Sequence, residues 1–320
     1  MGRLFLWMAF LCYCSAAFAQ DSPEQFRVVF YNVENLFDTK DNPLKQDEEF
    51  LPTGVRHWTP WKYYHKLHQT AKVLTAIGEW STPALVGLCE VENDSVLIHL
   101  LNRTPLRKQY YRFCITSCND ARGINTALLY QRDKFRLITQ RAHSIPFSRK
   151  GKTSRDILHV TGQVITQDTM DVFIVHFPSK YGGAKETEQD RREAAEKLFF
   201  LADSVRLIRQ HPQILLMGDF NDIPSRFSIP TTYTHLFANA EKHQGSHKYQ
   251  DEWSQLDAII VCKGLEKRLV PNSPQIFRPN FLLKTDKTRL GKRPFRTYYG
   301  YKYEGGFSDH LPIVSDFLFD

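Results

Sequence analysis

The chain has 320 residues, of which 42% are hydrophobic and 24% are charged, and its formal net charge is +7. This composition supports a sizeable folded core and excludes an intrinsically disordered protein. The positive charge favours an anionic partner, such as nucleic acid, a phosphorylated small molecule or a membrane surface, although basic proteins without such partners are common.

The amino terminus has the pattern of an export signal. Arg3 precedes an apolar run over 4–13, and Ala17 and Ala19 are the small residues that a signal peptidase requires. We expect cleavage after Ala19, which makes 1–19 a signal peptide and the mature protein periplasmic or extracellular. The apolar run is shorter than the ~20 residues of a membrane span, and an uncleaved anchor is the alternative. No later segment of the sequence could span a membrane.

The mature chain, residues 20–320, mixes helices and strands without repeats or a linker. Hydrophobic periodicity and turn residues predict, in chain order, a strand over 27–33, a helix from Thr59-Pro60 to about Trp80 with a buried stripe at Leu67, Ala71, Leu74 and Ile77, a strand over 84–89 and a short helix that Asp94 caps and that ends near Arg103. Further predicted strands are 110–116, 124–130, 135–142, 157–165 and 170–176, with turns between adjacent strands at 131–133 and 166–168. A helix over 186–210 then precedes strands over 213–218, 256–262 and 311–319.

Helices alternate with strands early and late in the chain, whereas strands follow one another in the middle. This order predicts the α/β class, with two mixed sheets packed face to face and helices outside, in a single domain over 20–320.

Four cysteines remain after the signal peptide. Cys89 and Cys262 lie in apolar runs and are predicted to be buried. Cys114 and Cys118 would lie ~13 Å apart in an extended chain, beyond disulfide range. Only a turn between them would allow a bridge, and the sequence leaves that question open.

Chemically active side chains stand at the edges of five apolar runs. They are Asn32, Glu90, His176, Asp219 and the pair Asp309-His310. Strand ends in a layered α/β protein meet at one edge, so we expect these side chains to converge.

These residue types match the needs of phosphate-ester hydrolysis, which requires a cation, a base for the attacking water and donors for the transition-state charge. Glu90, Asp309 and the Asn32 amide oxygen form a hard oxygen set that selects Mg²⁺, with Mn²⁺ or Ca²⁺ as alternatives, over zinc. Asp219 is suited to act as the base. Asn221, two residues later, is expected on the same strand face.

Histidines complete the predicted chemistry. His176 and His310 can donate to phosphate oxygens, and Asp257 could hold one histidine in a single tautomer.

Six short motifs carry a family resemblance. They are Tyr31-Asn32-Val33-Glu34-Asn35, Glu90-Val91-Glu92-Asn93, His176-Phe177-Pro178-Ser179, Gly218-Asp219-Phe220-Asn221, Leu256-Asp257 and Ser308-Asp309-His310. In this order the chain resembles the endonuclease/exonuclease/phosphatase superfamily, the fold of DNase I, from about residue 27 to 317.

The resemblance implies a four-layer α-β-β-α sandwich and a role for each motif residue. The implied metal site is Asn32 and Glu90 with Asp309 nearby, and the implied catalytic residues are Asp219 for the water, Asn221 for orienting the phosphate, and His176 and the pair His310–Asp257 for contacting it. Ser179 stands where some relatives place an amide side chain, and Glu34 stands where abasic-site endonucleases often have a second acid. We therefore expect both near the substrate.

Two basic features allow two interpretations each. Arg191 or Arg192 could reach the substrate, although an i,i+4 pair between Glu188 and Arg192 would indicate a solvated face. A tyrosine-rich stretch near the carboxyl terminus suits a polyanion or is a solvated loop before the last strand; its basic residues are Lys284, Lys287, Arg289, Lys292, Arg293, Arg296 and Lys302.

The sequence thus predicts an exported, magnesium-dependent phosphoesterase that hydrolyses phosphodiester bonds, with a nuclease favoured. The alternative is a phosphatase or phosphodiesterase acting on phospholipid head groups, inositol phosphates or nucleotides, because substrate choice would depend on the loops over 38–57, 226–252 and 272–304. An alternative of another class is a catalytically silent polyanion-binding protein. The sequence does not fix the oligomeric state, and a monomer is compatible with it.

Overall fold

The computed structural model describes residues 24–238, 244–289 and 291–319. The predicted signal peptide lies outside these ranges. Within them, none of the helices combines the length and the apolar character that crossing a membrane requires.

The strands of the described residues are numbered in chain order. They are β1 (Glu24–Leu36), β2 (Leu85–Val91), β3 (Arg112–Ile115), β4 (Asn125–Tyr130), β5 (Phe135–His143), β6 (Ile157–Val164), β7 (Thr169–His176), β8 (Gln213–Asp219), β9 (Tyr233–His235), β10 (His247–Tyr249), β11 (Glu252–Ser254), β12 (Asp257–Cys262), β13 (Gln275–Ile276), β14 (Leu283–Thr285), β15 (Lys292–Pro294), β16 (Tyr298–Tyr299), β17 (Lys302–Tyr303) and β18 (Ile313–Phe319). The α-helices are α1 (Pro60–Gly78), α2 (Asp94–Asn102), α3 (Glu188–Ile208) and α4 (Lys263–Glu266), and single 3-10 turns are Glu48–Phe50, Pro105–Gln109, Pro224–Arg226 and Asn280–Leu282.

Each helix and strand predicted from the sequence is present, with boundaries shifted by up to three residues. Thr59 accepts a hydrogen bond from the Lys62 backbone and Pro60 opens the first turn of α1, which fits the favoured start of a helix. The cap of α2 differs from the prediction. Asn93, one residue before Asp94, accepts the Val96 N–H and is the N-cap.

Two six-stranded sheets form the body of the protein. The first sheet has the order β13-β18-β1-β2-β4-β3 and the second has the order β5-β6-β7-β8-β12-β9. Both sheets are mixed, because β1 and β2 are parallel, as are β7 and β8, while their other strand pairs are antiparallel. The turn at 131–133 was expected between neighbouring strands, but it carries the chain from β4 in one sheet to β5 in the other.

The layers follow from the alternation of side chains along β1. Val28 and Phe30 belong to the core shared with the second sheet, whereas Val29 and Tyr31 pack with the buried residues of α1 and α2. Helix α3 contributes to the core on the other side of the second sheet. The order is therefore helices, sheet, sheet and helix, which confirms the predicted four-layer α-β-β-α sandwich.

The sheets approach closely at their centre. A Cβ atom on Gly87 of β2 would lie 2.8 Å from the Cε of Met217 in β8, so glycine makes room for the methionine of the opposite sheet. The predicted stripe of α1 is buried against the first sheet, as expected.

Cys89, Cys114, Cys118 and Cys262 are all buried, free thiols. No disulfide is therefore present among the described residues, and the prediction of buried Cys89 and Cys262 is confirmed.

Candidate active site

The ends of central strands from both sheets meet at one edge of the sandwich. We call the side chains that converge there the strand-end cluster, which consists of Asn32, Glu90, His176, Asp219, Asp257 and His310. The strand register explains their convergence: Asn32 lies opposite Cys89 across β1 and β2, and His176 and Asp257 both lie opposite Asp219 in the second sheet.

A glycine sets the spacing of the two strands that carry His176 and Asp219. Gly218 pairs with Val175, and a Cβ atom there would lie 2.3 Å from the Val175 backbone oxygen. A backbone oxygen cannot move aside as a flexible side chain can. The Gly-Asp pair in this motif therefore reflects close strand packing as well as chemistry.

Backbone irregularities turn Glu90 out of the regular ladder. The register of β1 and β2 shifts after Asn32 and Cys89. Glu90, Glu34 and Asn35 all have positive φ angles, of 62°, 51° and 51°. Non-glycine residues adopt this conformation at a cost, and three of them here lie at the same edge of the sandwich.

Asp219 is the centre of the cluster. Its Oδ2 accepts a hydrogen bond from Asn32 Nδ2 at 3.0 Å. The same oxygen lies 3.7 Å from the Nε2 atoms of both His176 and His310. Asp219 is buried, and its carboxylate thus faces one amide and two imidazoles.

His310 is held from behind by a carboxylate. Its Nδ1 donates to Asp257 Oδ2 at 2.7 Å, which directs Nε2 towards Asp219. The His310 backbone donates to the Ser308 hydroxyl, and that hydroxyl donates to the Asn32 carbonyl at 2.7 Å. These bonds fix the loop before β18 to the end of β1.

Burial and neighbouring charges shift the pKa values of Asp219, His310 and His176. Burial raises the pKa of Asp219 to about 7, although the charge of His310 opposes this shift. Burial alone would lower the pKa of His310, but the carboxylates of Asp257 and Asp219 raise it well above its ordinary range. Burial, Arg155 and Arg122 together hold the pKa of His176 well below its usual value. Near neutral pH, His310 is therefore a cation and His176 a neutral imidazole.

Asn221 reaches the site differently from the prediction. Strand β8 ends at Asp219, and Asn221 has a φ angle of 50°, so strand alternation does not determine its orientation. Its backbone donates to Asp219 Oδ1 at 2.8 Å, and its Nδ2 donates to the Phe177 carbonyl at 2.9 Å. Asn221 thus ties the loop after β7 to Asp219.

Glu90 offers one carboxylate oxygen that could bind a hard divalent cation. Oε2 of Glu90 accepts the Asn35 N–H at 2.8 Å, while Oε1 has only longer approaches, of 3.5 Å to Asn32 Nδ2 and 3.9 Å to His176 Nε2. One carboxylate oxygen of a half-buried acid is thus free of short hydrogen bonds. Oxygen ligands of this kind suit Mg²⁺, Mn²⁺ or Ca²⁺.

The remaining predicted ligands have partners within the chain. Asn32 presents its Nδ2 to the carboxylates, and its Oδ1 accepts the Glu34 N–H at 3.0 Å. Asp309 accepts from Arg296 at 2.9 Å, and it also lies close to His247 and His310 in a group whose geometry could hold a metal ion. The roles of Asn32 and Asp309 as ligands stay predictions.

A network of ion pairs and hydrogen bonds next to the cluster was not foreseen from the sequence. Arg296 bridges Glu34 at 3.0 Å and Asp309 at 2.9 Å. Lys66 of α1 is fully buried and donates to Thr297 Oγ1 at 2.7 Å and to a second acceptor, the Phe307 carbonyl. Burial lowers the pKa of Lys66 to about 8. Through the Arg296–Glu34 ion pair, the network connects the carboxyl-terminal basic stretch to the end of β1.

Two further arginines near the cluster also escaped prediction. Arg155 is buried, donates to the Phe177 carbonyl at 3.2 Å and lies 3.5 Å from Asp120. Arg122 donates to the Asn35 side chain and lies 4.0 Å from Glu90. Neither arginine belongs to a recognisable local motif, because both reach the site from loops of other strands.

Three residues that were expected near the substrate make contacts within the chain. Arg192 is 58% exposed and pairs with Glu188 at 3.5 Å on the solvent face of α3, while Arg191 is buried against Asp222. Ser179 is exposed, and its hydroxyl accepts the Tyr181 N–H at 3.4 Å. Glu34 is buried and is engaged by Arg296 and by the Thr297 N–H. The structure thus supports the interpretation of Arg192 as part of a solvated face, its contact with substrate stays a prediction, and Glu34 anchors Arg296.

Known proteins share this architecture. The human Nocturnin catalytic domain with bound sulfate anion is 16% identical, with 93% of this chain and 94% of that chain covered and a TM-score of 0.57. D. rerio TDP2 complexed with single strand DNA product is 14% identical, with 92% and 99% covered and a TM-score of 0.55. An endonuclease/exonuclease/phosphatase family protein from Bacteroides thetaiotaomicron is 13% identical, with 93% and 96% covered and a TM-score of 0.54.

A search of curated proteins found no match to this sequence. In contrast, residues 27–317 match the sequence profile of the Endonuclease/Exonuclease/phosphatase family. That match spans all the strand-end residues, so the chain belongs to the endonuclease/exonuclease/phosphatase family, whose hydrolases act on phosphate esters.

Proposed function

We propose that this protein is an exported, divalent-metal-dependent phosphoesterase that hydrolyses phosphodiester bonds in nucleic acid. The observation that carries the proposal is the position of the Asp219 carboxylate, which lies 3.7 Å from both His176 and His310 and beside Glu90 through Asn32. The arrangement joins a base, two phosphate donors and an oxygen ligand for a cation in one buried cluster.

The roles follow from the protonation of each group. Asp219, with a pKa near neutrality, can accept a proton from the attacking water and still be largely ionised above pH 7. His310, held as a cation by Asp257, can donate to a phosphate oxygen and offset the charge that develops there. His176, as a neutral imidazole, can donate one N–H without repelling His310.

A divalent cation at Glu90 would neutralise phosphoryl oxygens and the leaving group. Glu90 is the residue that would hold it, with Asn32 and Asp309 as further candidates. Around that place, Asn32 orients Asp219 and the Asn35 backbone orients Glu90.

Nucleic acid as the substrate is supported by two observations. The chain carries a formal net charge of +7, which favours a polyanion. A structural neighbour, D. rerio TDP2, was solved with a single strand DNA product. Export is proposed from the amino-terminal sequence pattern alone.

The proposed function is tested with a panel of substrates in the presence of Mg²⁺: plasmid DNA, single-stranded DNA, RNA, abasic duplex, phosphatidylinositol phosphates, sphingomyelin and nucleotides. We expect hydrolysis of nucleic acid that EDTA abolishes and that added Mg²⁺ restores. Asp219→Asn protein, purified in the same way, should be inactive, which excludes a contaminating nuclease. Cleavage of lipids or nucleotides alone would replace the nuclease proposal, and no hydrolysis of any substrate would refute the phosphoesterase proposal.

Glu90→Gln is expected to weaken Mg²⁺ binding by about tenfold or more, because it removes the ligand charge that sets affinity for a hard cation. Isothermal titration calorimetry with Mg²⁺ measures this change without reference to turnover. The exposed residue Glu196 on α3 offers a matched control. Equal Mg²⁺ affinities of Glu90→Gln and Glu196→Gln would exclude Glu90 as a ligand.

A further inference from the structure

A basic cavity lies at the edge of the first sheet that is opposite to the strand-end cluster. Its volume is about 660 Å³, and it is bounded by the end of α2, the chain between α2 and β3, and the turn at 131–133. Strand β2 begins at Leu85, which lies opposite Tyr130 of β4, whereas Glu90 is near the other end of β2. The turn that follows Tyr130 is therefore remote from Glu90, and the cavity is separate from the candidate active site.

Three arginines from separate segments of the chain line this cavity. Arg107 belongs to the 3-10 turn after α2, Arg112 is the first residue of the edge strand β3, and Arg132 lies in the turn between β4 and β5. Arg112 lies opposite Tyr130 across β3 and β4. Burial raises the pKa of Tyr130, and the charges of Arg112 and Arg132 oppose this shift, so both guanidiniums lie near its hydroxyl. The fold thus brings positive charge together from three places in the sequence.

None of these arginines is neutralised by the chain. Among the described residues, the three guanidiniums have no hydrogen bond and no ion pair. Of the residues that line the cavity, Asp133 is the only acid, and it lies beyond ion-pair distance of all three. An arginine on the same sheet does find an acid, because Arg27 pairs with Asp316 at 2.8 Å. The cavity therefore has an excess of positive charge that nothing in the described chain offsets.

The chemistry of the lining favours an oxyanion. Like charges that are held near one another repel, and an anion between them removes this repulsion. With three arginines and one acid, the lining has an excess of two positive charges, which matches the charge of about −2 on a phosphate monoester. An arginine presents its N–H groups as a fork that fits phosphate oxygens, whereas a lysine acts as a point charge. A phosphate monoester thus suits the cavity in both charge and geometry.

Two uncharged side chains add donors to the arginines. Tyr110 ends the 3-10 turn in the left-handed region, with φ 53° and ψ 30°, a conformation that bulky residues rarely adopt. It lines the cavity and is 81% exposed. The Asn102 amide also lines the cavity, is exposed and has no hydrogen-bond partner among the described residues. The hydroxyl of Tyr110 and the amide of Asn102 are therefore available to a ligand.

We propose that this cavity is a second ligand site, which binds a phosphate monoester on a small molecule or on a lipid head group. Arg107, Arg112 and Arg132 donate to the phosphate oxygens, and Tyr110 and Asn102 contact the group that carries the phosphate. The site does not depend on the strand-end cluster or on the proposed phosphoesterase function. It can therefore be tested on protein that does not turn over any substrate.

The test uses metal-free Asp219→Asn protein and isothermal titration calorimetry with two compounds, glycerol 3-phosphate and dimethyl phosphate. The first is a monoester with a charge of about −2 and the second is a diester with a single charge. We expect glycerol 3-phosphate to bind about tenfold more tightly than dimethyl phosphate, because the lining has two positive charges in excess. Equal dissociation constants for the two compounds would overturn the proposal.

Variants assign the binding to the cavity. Arg107→Gln, Arg112→Gln and Arg132→Gln should each raise the dissociation constant of glycerol 3-phosphate about tenfold, as expected for one charge-assisted hydrogen bond. Arg141→Gln is the matched control and should leave it unchanged, since Arg141 is exposed and unpaired among the described residues but does not line the cavity. All four side chains are exposed, so the temperature of unfolding should stay the same. Unchanged binding in all three cavity variants would contradict the assignment.

A further titration separates the cavity from the strand-end cluster, where a phosphate could also bind. His310→Ala removes the cationic donor of that cluster, and we expect it to leave the dissociation constant of glycerol 3-phosphate at the cavity unchanged. Binding that is lost in His310→Ala protein and retained in the three arginine variants would belong to the cluster and would refute the cavity site.

Vesicles identify the source of the phosphate. Phosphatidic acid carries the same glycerol phosphate monoester on a lipid, so sedimentation with phosphatidylcholine vesicles is compared with and without phosphatidic acid. Sedimentation that requires phosphatidic acid and that Arg112→Gln weakens would identify a lipid head group. Calorimetric binding of glycerol 3-phosphate without sedimentation would identify a soluble phosphate ester. Absence of both would refute the site, whether or not the wild type hydrolyses nucleic acid.

Discussion

His310→Ala is expected to lower kcat by about 10³-fold or more on the phosphodiester that the wild type cleaves, while the fold is retained. The imidazole is the cationic donor beside Asp219, and because it is buried against His247 and Asp257, alanine should also lower the temperature of unfolding. Steady-state kinetics and thermal unfolding of the purified variant measure the two effects separately. His211→Ala, at an exposed position before β8, is the matched control and should leave kcat unchanged.

Asp257 acts through His310, so Asp257→Asn should reduce kcat less than His310→Ala. It should also change the pH profile. Because the cation is the active form of His310, activity declines as pH rises through its pKa, and the Asp257 carboxylate keeps that pKa high. Loss of the carboxylate should move the alkaline limb to lower pH. A larger kcat effect than that of His310→Ala, or an unmoved alkaline limb, would contradict this positioning role.

Asp219→Asn is expected to lower kcat by about 10³- to 10⁴-fold, because the amide cannot accept the proton of the attacking water. The replacement keeps the size of the side chain and the acceptor oxygen for the Asn221 N–H. Single-turnover kinetics measures the hydrolysis step free of product release. Asp133→Asn, in the exposed turn at 131–133, is the matched control. Near-normal single-turnover rates for Asp219→Asn would remove Asp219 from the role of base.

The pH dependence of the wild type provides a second measurement of this base. Asp219 must lose its proton before it can act, so kcat/KM should rise with pH along the acid limb. Burial places the pKa at about 7 in the absence of a cation. A divalent cation nearby favours the ionised carboxylate, so the midpoint of the acid limb should fall as the Mg²⁺ concentration rises. An acid limb that is unchanged in Asp219→Asn protein would arise from another group.

The sequence predicted those parts of the site that lie at the ends of hydrophobic strands. Asn32, Glu90, His176 and Asp219 each follow an apolar run, and the rule that strand ends in a layered α/β protein meet at one edge was enough to predict their convergence. Local signals of this kind also placed the helices and strands to within three residues.

Contacts between distant parts of the chain carried no such local signal. Arg296 bonds Glu34 across 262 positions, and Lys66 reaches Thr297 across 231 positions. In the sequence, Arg296 is one of several basic residues in a polar stretch, and Lys66 is one residue of a helix. Only the folded structure reveals the burial of Lys66 and the two ion pairs of Arg296, which distinguish these residues from solvated cations.

Backbone geometry explains the remaining differences. Asn221 was expected to follow strand alternation, but β8 ends at Asp219 and the chain turns with a positive φ. Arg191 and Arg192 are neighbours on α3, and a rotation of about 100° per residue buries the first and exposes the second. The sequence alone does not show which face of α3 packs against the sheet, so it cannot show which of the two arginines is buried.

The origin of the strand-end cluster in two sheets has a mechanical consequence. Asn32 and Glu90 belong to one sheet and His176, Asp219 and Asp257 to the other, so the hydrogen bond from Asn32 to Asp219 spans the seam between them. Sub-ångström sliding along this seam would misalign the cluster while each sheet stayed intact. Catalytic activity therefore depends on the relative position of the two sheets. We expect activity to be lost on heating at a lower temperature than that of global unfolding.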